Sequence, residues 1–433
     1  MSREINSVAV LGCGTMGSGI AAASAAAGCR VLMLDVSVEA VERALAAVDE
    51  EHRHLVETGT FEANLARIAD YDWICEAIVE DLEIKRELFT EVEPLRRDGS
   101  VISSNTSGIP LRDITEGFDD RLLGDVAITH FFNPVRVMKL FELVPGEKTS
   151  AEVIDAFATF GASKLGKGVV NAKDTVNFIG NRIGCFFMLS GLHLAKPYLA
   201  DGMTQETVDA VLGKPVGLPP TGLYGLIDLI GLDVMDLVGK NLAVNLPEGD
   251  AGLAYTAFPS AEQAMLERGQ LGRKARALGG FGKVEKLDDG AKRRLTFDLV
   301  AEEWRDAVEP DLSGVPGDLG EVLFDDTQHG RLAWEIFGGT LRYAAGLVPE
   351  IADDIVNIDR AIRWGFNWTQ GPFELLDTLG PDRVIAKIEA EGATVPAMLA
   401  VLRDSGAATF YRSGADGEEY LGRDGTFQPV PAE

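Results

Sequence analysis

The chain has 433 residues, 46% of them hydrophobic and 25% charged, and a formal net charge of −28. That length exceeds one compact core and predicts two or three domains of ordinary globular composition. The acid surplus excludes a general attraction to nucleic-acid phosphates or anionic lipid, so an anionic ligand has to be met by local dipoles or a few placed cations.

The opening Met1-Ser2-Arg3-Glu4 leads into a strand-like segment without the basic and long apolar stretches of a secretory signal, and no apolar run reaches the ~18 residues of a membrane span. Cys13, Cys29, Cys75 and Cys185 lack metal-ligand spacing and sit among apolar or small residues. No metal site is expected, and the four read as reduced core thiols of a cytoplasmic protein.

In chain order, residues 7–11 predict a buried strand, 16–27 a small-residue helix and 30–35 a second strand, the start of a βαβ unit. Ser37 is placed to cap a helix over 38–56. Strands are then expected at 73–77, 101–104, 126–131 and 138–144, with a helix at 82–95. Strands alternating with helices over roughly the first 175 residues predict a mostly parallel, doubly wound α/β sheet.

Beyond about Asn177 strand signals fade, and helical patterns cover 178–201 and 205–212. An internal repeat lies in this region: Gly222-Leu223-Tyr224-Gly225-Leu226-Ile227-Asp228 matches Gly371-Pro372-Phe373-Glu374-Leu375-Leu376-Asp377, 149 residues on, and Val208-Asp209 parallels Ile358-Asp359. Two copies are too few for a solenoid, so the pattern predicts a tandem duplication of one helical domain. Gly279–Gly290 and Glu309–Gly320 read as linker between the copies, and the polar tail from Tyr411 is expected to pack loosely.

Gly12-Cys13-Gly14-Thr15-Met16-Gly17 follows the first strand and opens the first helix, the setting in which glycines let a backbone approach a pyrophosphate at a helix N-terminus. Asp35 ends the next strand, where a carboxylate binds the adenosine ribose hydroxyls and repels the 2′-phosphate of NADP, so NAD is the expected cofactor. FAD uses a similar fingerprint and is not excluded by the motif. His130-Phe131-Phe132-Asn133-Pro134 and Glu142 lie in two strand-like segments joined by a short loop. A neutral imidazole there could take a hydroxyl proton with a carboxylate fixing its tautomer; equally, these residue types suit a hydrogen-bonded structural histidine and a solvated acid. Ser104-Asn105-Thr106-Ser107 follows another strand, at the sheet end where ligands sit, or forms a polar turn.

Together these segments resemble the 3-hydroxyacyl-CoA dehydrogenase family. The resemblance is carried by Gly12 to Gly17, Glu76-Ala77-Ile78-Val79-Glu80-Asp81-Leu82, Lys85, Ser104 to Ser107, His130 to Pro134, Met138 to Leu143, Lys173-Asp174-Thr175 and Asn181-Arg182, with the segment at Gly371 resembling the helical domain again. It implies a Rossmann-type NAD-binding domain at 1–177, a first helical domain at 178–290, a linker at 291–327 and a second helical domain at 328–433. This arrangement is similar to the dehydrogenase part of multifunctional fatty-acid β-oxidation proteins. It implies oxidation of an (S)-3-hydroxyacyl-CoA by NAD, with His130 as base and Glu142 orienting it. Ser107 would serve both substrate and nicotinamide, and Asn181 the substrate carbonyl. Gly12, Gly14, Thr15, Met16, Gly17, Asp35, Glu80, Lys85, Asn133 and Lys274 would contact NAD. The partner would be an acyl-CoA, with no nucleic acid or membrane. The assembly would be a homodimer, or a monomer in which the duplicated domain fills the dimer interface.

Three departures from the family stand out. Val176-Asn177-Phe178 replaces the usual Pro-Gly-Phe, Gly280-Phe281-Gly282 replaces Gly-Phe-Tyr, and the shortened stretch before Trp73 carries Asp49-Glu50-Glu51 where basic residues often approach CoA. The last motivates an alternative substrate, a free or differently carried 3-hydroxy acid. A non-catalytic dinucleotide-binding protein is the third reading.

Overall fold

Short apolar runs bounded by Gly and polar turns set the centre of the first sheet. Ser7–Leu11 (β1), Arg30–Asp35 (β2), Trp73–Glu76 (β4), Val101–Ser104 (β5) and Val126–Phe131 (β6) are nearly all buried. With Val56–Thr60 (β3), Leu140–Pro145 (β7) and Gly168–Asn171 (β8) they form one eight-stranded sheet in the order β3-β2-β1-β4-β5-β6-β7-β8. Every neighbouring pair is parallel except β6 and β7, which a short loop makes antiparallel. This is the doubly wound α/β fold expected from the alternating pattern, with the C-terminal ends of the parallel strands along one edge.

The computed structural model describes residues 3–432, which divide into two units. The sheet and its helices belong to the first, which runs through Ile179 and takes in Glu350–Asp353. Gly180–Pro349 and Asp354–Val430 form the second. In the first unit, Trp73 packs against Phe131, Phe157 and Phe160, joining the sheet to the helix Ala151–Thr159. All four cysteines are free and buried, and burial pushes the Cys13, Cys75 and Cys185 thiols up to about 12.

Several expectations change here. The helix expected over 38–56 ends at Leu45, and a tight 3-10 turn over Glu50–Leu55 delivers the chain into β3. That strand is an edge strand of sequence Val-Glu-Thr-Gly-Thr, half exposed along its length, so it lacks the continuous apolar run that marks a buried strand. The short β8 was likewise hidden.

The second unit is mainly helical. Gly180–Ala200 is long and apolar enough to cross a membrane, but 67% of its window is buried inside the protein, as befits a core helix. The repeat copy packs directly on it: a Cβ at Gly184 would meet the Phe366 ring at 2.1 Å, and Phe187 makes an edge contact with Trp368. Arg182 donates to Asp250 at 2.6 Å and to the hydroxyl of Tyr343, in the later copy, at 2.6 Å.

The repeat has a physical cause. Half-buried Asp209 accepts N–H bonds from Leu223, Tyr224 and Gly225; buried Asp359 accepts them from Phe373 and Glu374. Each carboxylate caps the helix that the repeat begins. A Cβ at Gly222 would lie 2.4 Å from Asp209 Cα and one at Gly371 2.2 Å from Asp359 Cβ, so both copies need glycine there. A second carboxylate closes each copy: Asp228 takes the N–H groups of Phe281 and Gly282, and Asp377 those of Phe410 and Tyr411. Tyr411 also donates its hydroxyl to Asp359 at 2.8 Å, a bond for which Gly282 has no side chain.

Two segments read as irregular are small antiparallel sheets. Gly282–Lys286 (β9), Lys292–Asp298 (β10) and Glu303–Asp306 (β11) form one across the expected linker. Tyr411–Ser413 (β12), Glu418–Leu421 (β13) and Phe427–Pro429 (β14) form the other, in the tail expected to pack loosely. Their strands are short and largely exposed, and only anchors such as Leu295, Phe297 and Leu421 are buried.

Burial pushes Asp209 up to about 7 and Asp228 and Asp377 up to about 6. A carboxyl whose folded pKa is raised holds a proton that the unfolded chain releases, so its stabilising contribution is complete below about pH 4 and is lost as pH rises to about 7. Urea unfolding should therefore show a midpoint that falls between pH 5 and pH 7.5, with a shallower slope in Asp228→Asn. A midpoint that climbs across that interval would contradict this account.

Candidate functional site

At the end of β1 the chain must turn sharply. Gly12 takes φ +102°, its N–H bonds Leu34 O at 2.8 Å, and a Cβ there would lie 2.5 Å from Ala77 O. Gly17 lets the helix Thr15–Ala26 close on the turn, because its Cβ would stand 1.8 Å from Gly12 O. Above Gly14 a Cβ would meet nothing within 4 Å. The turn is closed by packing on one side and open over Gly14, as a pyrophosphate at a helix N-terminus requires. Thr15 is exposed and Met16 half-buried beside it. Asp35 Oδ2 accepts the Cys13 N–H at 2.5 Å and Oδ1 the Val36 N–H at 2.7 Å, fixing the acid at the mouth of the turn. These residues fit a dinucleotide with a free ribose diol.

His130 and Glu142 are direct cross-strand partners in the antiparallel β6–β7 pair. His130 is 3% exposed and Glu142 fully buried, with Nδ1 to Oε2 2.6 Å apart. Glu142 Oε1 also accepts the Ile179 N–H at 3.1 Å. A carboxylate acceptor at Nδ1 sets the tautomer with the proton on that nitrogen and the lone pair on Nε2. Phe132 and Phe178 pack their rings 4.7 and 5.5 Å from the imidazole. The neighbouring strand end is pinned by Asn105, whose Oδ1 accepts the Phe131 N–H at 3.0 Å.

Ser107 is exposed at the C-terminal edge of the sheet, its N–H on Glu80 Oε1 at 2.9 Å. Asn133 is exposed on the loop after β6. Lys85 is buried, with its ammonium between Glu76 and Glu80. Asp174 receives the N–H groups of Leu111 and Arg112 at 2.5 and 2.9 Å, tying down the segment that follows Ser107. Asn181 and Lys274 belong to the second unit; Asn181 is half-buried in the helix Gly180–Leu194, and Lys274 pairs with Asp233 at 2.5 Å. Glu76 and Phe178 were given no role of their own in the sequence, and Asn105 was read only as part of the polar Ser104–Ser107 segment. A lone carboxylate closing the apolar strand Trp73-Ile74-Cys75 was the available signal for Glu76.

The altered Val176-Asn177-Phe178 turn is now explicable. Asn177 and Phe178 both adopt left-handed backbone, at φ +60° and +49°. Asn tolerates that region as Gly does, whereas a Phe there costs roughly 1–2 kcal/mol. Full burial of a Phe side chain contributes about 1.5–3 kcal/mol, enough to offset the strain and seat the ring against His130. Of the acids before Trp73, Asp49 is neutralised by Arg136 at 2.9 Å, while Glu50 and Glu51 stay exposed.

Residues 7–175 match the sequence model of the 3-hydroxyacyl-CoA dehydrogenase NAD binding domain, and residues 178–281 that family's C-terminal domain. The chain is 35% identical to a probable 3-hydroxyacyl-CoA dehydrogenase of Bacillus subtilis, over 95% of this chain and 56% of that protein. It is 33% identical to the 3-hydroxybutyryl-CoA dehydrogenase of Mycobacterium tuberculosis, over 64% of this chain and 98% of that one. Its fold matches the crystal structure of the Escherichia coli 3-hydroxybutyryl-CoA dehydrogenase with TM-score 0.69 at 23% identity, covering 93% of this chain and 99% of that chain. The chain thus spans little more than half the length of the Bacillus relative.

Asn177→Gly should keep the thermal midpoint at or above the native value, since it retains the left-handed turn and removes a buried amide nitrogen with no hydrogen-bond partner. Asn177→Val should lose on the order of 1–2 kcal/mol or more in the same thermal scan. Native-like stability in the Val variant would be inconsistent with this turn.

Proposed function

Because the chain belongs to the 3-hydroxyacyl-CoA dehydrogenase family and carries its NAD-binding domain, we propose that it oxidises (S)-3-hydroxyacyl-CoA to 3-oxoacyl-CoA with reduction of NAD. The observation that carries the reading is the buried His130–Glu142 pair at 2.6 Å, at the sheet edge that also bears the Gly12–Gly17 turn. Bound NAD would supply the hydride acceptor.

His130 Nε2 takes the proton of the C3 hydroxyl as hydride leaves C3, and the O–H electron pair becomes the second bond of the carbonyl. The imidazolium that forms keeps its Nδ1–H on Glu142, whose charge stabilises it and whose own position is held by the Ile179 N–H. In the reverse direction the imidazolium returns the proton. Phe132 and Phe178 keep bulk water from the ring, so the proton passes to substrate rather than solvent. Ser107 is assigned a hydrogen bond to the reacting oxygen. CoA as carrier is supported by the relatives' names and by the Asp49–Arg136 pair, which cancels one of the three acidic charges before Trp73.

His130→Gln should lower turnover of acetoacetyl-CoA with NADH by ~10²–10⁴ while NADH still binds. Unchanged turnover would remove His130 as the base. Activity with free acetoacetate and none with acetoacetyl-CoA would replace the thioester with the free acid and leave the proton chemistry standing.

A further inference from the structure

A lysine ammonium removed from water is costly unless an opposite charge meets it. Lys167 is only 8% exposed, yet its ammonium meets carbonyl oxygens rather than a carboxylate: Nζ donates to Met138 O at 2.7 Å and to Val135 O. Burial pushes its pKa below the usual lysine value. Both carbonyls belong to the loop that joins β6 to β7. Pro134 O accepts the Val137 and Met138 N–H groups at 2.9 and 3.0 Å, so the chain turns back on itself there. Such a turn leaves carbonyls that neither strand can pair, and one ammonium serves two of them. A methionine would fill the same space without the desolvation cost, so the charge is explained by what it holds.

Lys167 is itself held on both sides. Its N–H bonds Gly161 O at 2.9 Å, in the wide π turn Phe160–Lys164 that follows the helix Ala151–Thr159, and the next N–H, of Gly168, bonds Lys139 O at 2.8 Å where β8 joins β7. Gly161 lets that turn close on β7, because a Cβ there would stand 3.0 Å from the Phe141 ring. The other side of the loop lies on the helix that the Gly12–Gly17 turn opens. Val135 is 3% exposed, and a Cβ at Gly19, in the helix Thr15–Ala26, would stand 2.9 Å from Val135 Cγ2. Val135 is therefore caught between that helix and the ammonium on its carbonyl, while His130 and Glu142 stand in the two strands that the loop joins. We propose that Lys167 is a positioning residue for the reaction: its ammonium clamps the β6–β7 loop to the helix of the nucleotide-binding turn and so fixes the distance between the hydride acceptor and the His130 base. The proposal rests on the hydride-transfer reading for its kinetic consequence, though not for the clamp. A reacting-group displacement of about 1 Å can cost ~10²-fold in rate, so a rigid clamp has a kinetic purpose.

Lys167→Met keeps most of the side chain and removes the donors. It should lower kcat for acetoacetyl-CoA reduction at saturating NADH by ~10–100-fold, expressed per NADH-binding site counted by fluorescence titration. Counting sites takes unfolded protein out of the comparison, so a residue that only stabilised the fold would leave this rate native. Val135→Ala loosens the same loop with the ammonium in place and serves where Lys167→Met does not fold. It should lower the rate in the same direction, and the double variant should fall less than about 3-fold below the slower single one, because both act through one loop. A native kcat per site with the whole loss carried by the NADH Kd or the acetoacetyl-CoA KM, or losses that multiply in the double variant, would overturn the proposal. Amide exchange at Val137 and Met138 separates the clamp from the substrate assignment: faster exchange in either single variant supports the clamp even if the native protein leaves acetoacetyl-CoA untouched, and native protection in both overturns it.

Discussion

The antiparallel pairing of β6 with β7 is the constraint on which the site depends. In a sheet that is otherwise parallel, this one reversal places His130 directly opposite Glu142 and buries both. Side chains alternate faces along a strand, so a slip of one residue would send the imidazole and the carboxylate to different sides. Register is therefore pinned at both ends of the contact, by Asn105 on the Phe131 N–H and by the Ile179 N–H on Glu142. The remaining site features along this edge, the open space over Gly14 and the exposed Ser107, gain meaning from that fixed pair.

Holding such an edge costs stability, and the chain offsets the cost locally. Phe178 accepts a left-handed backbone because its ring is fully buried against His130. Lys85 accepts burial because two carboxylates receive it. In the second unit the same economy is repeated: Asp209 and Asp359 each give up solvent to satisfy the N–H groups opening a helix, and Asp228 and Asp377 do so where each copy closes. The two copies differ at Tyr411 and Gly282, so only the later one adds a hydroxyl to the buried carboxylate.

What the sequence made legible follows the same physics. The bounds of β1, β2, β5 and β6 could be read directly because each is a buried apolar run between turns. Edge strand β3 could not, since exposed Glu57 and Thr58 break its pattern, and the preceding residues carry helical periodicity that the 3-10 turn at Glu50–Leu55 ends. The small sheets β9–β11 and β12–β14 were masked by their glycines and surface charges, because each is anchored by only a few buried side chains. The cofactor turn and the His130–Glu142 segment were visible as motifs. The clamp on the β6–β7 loop was not, because it joins residues 135, 138 and 167 through tertiary hydrogen bonds that no local spacing encodes. The left-handed pair at Asn177 and Phe178 shows the converse: a departure from the family pattern that looked like a different turn keeps the backbone conformation glycine would supply.

The central claim is that Glu142 acts through His130 and nothing else in the chemical step. A double-mutant cycle on His130→Gln and Glu142→Gln, read as single-turnover NADH oxidation with acetoacetyl-CoA, tests it most directly. The account predicts that Glu142→Gln slows the native protein but leaves the His130→Gln protein within about 3-fold of its own rate. Losses that multiply in the double variant would show that the two residues act independently and would contradict the pair as one proton-transferring unit.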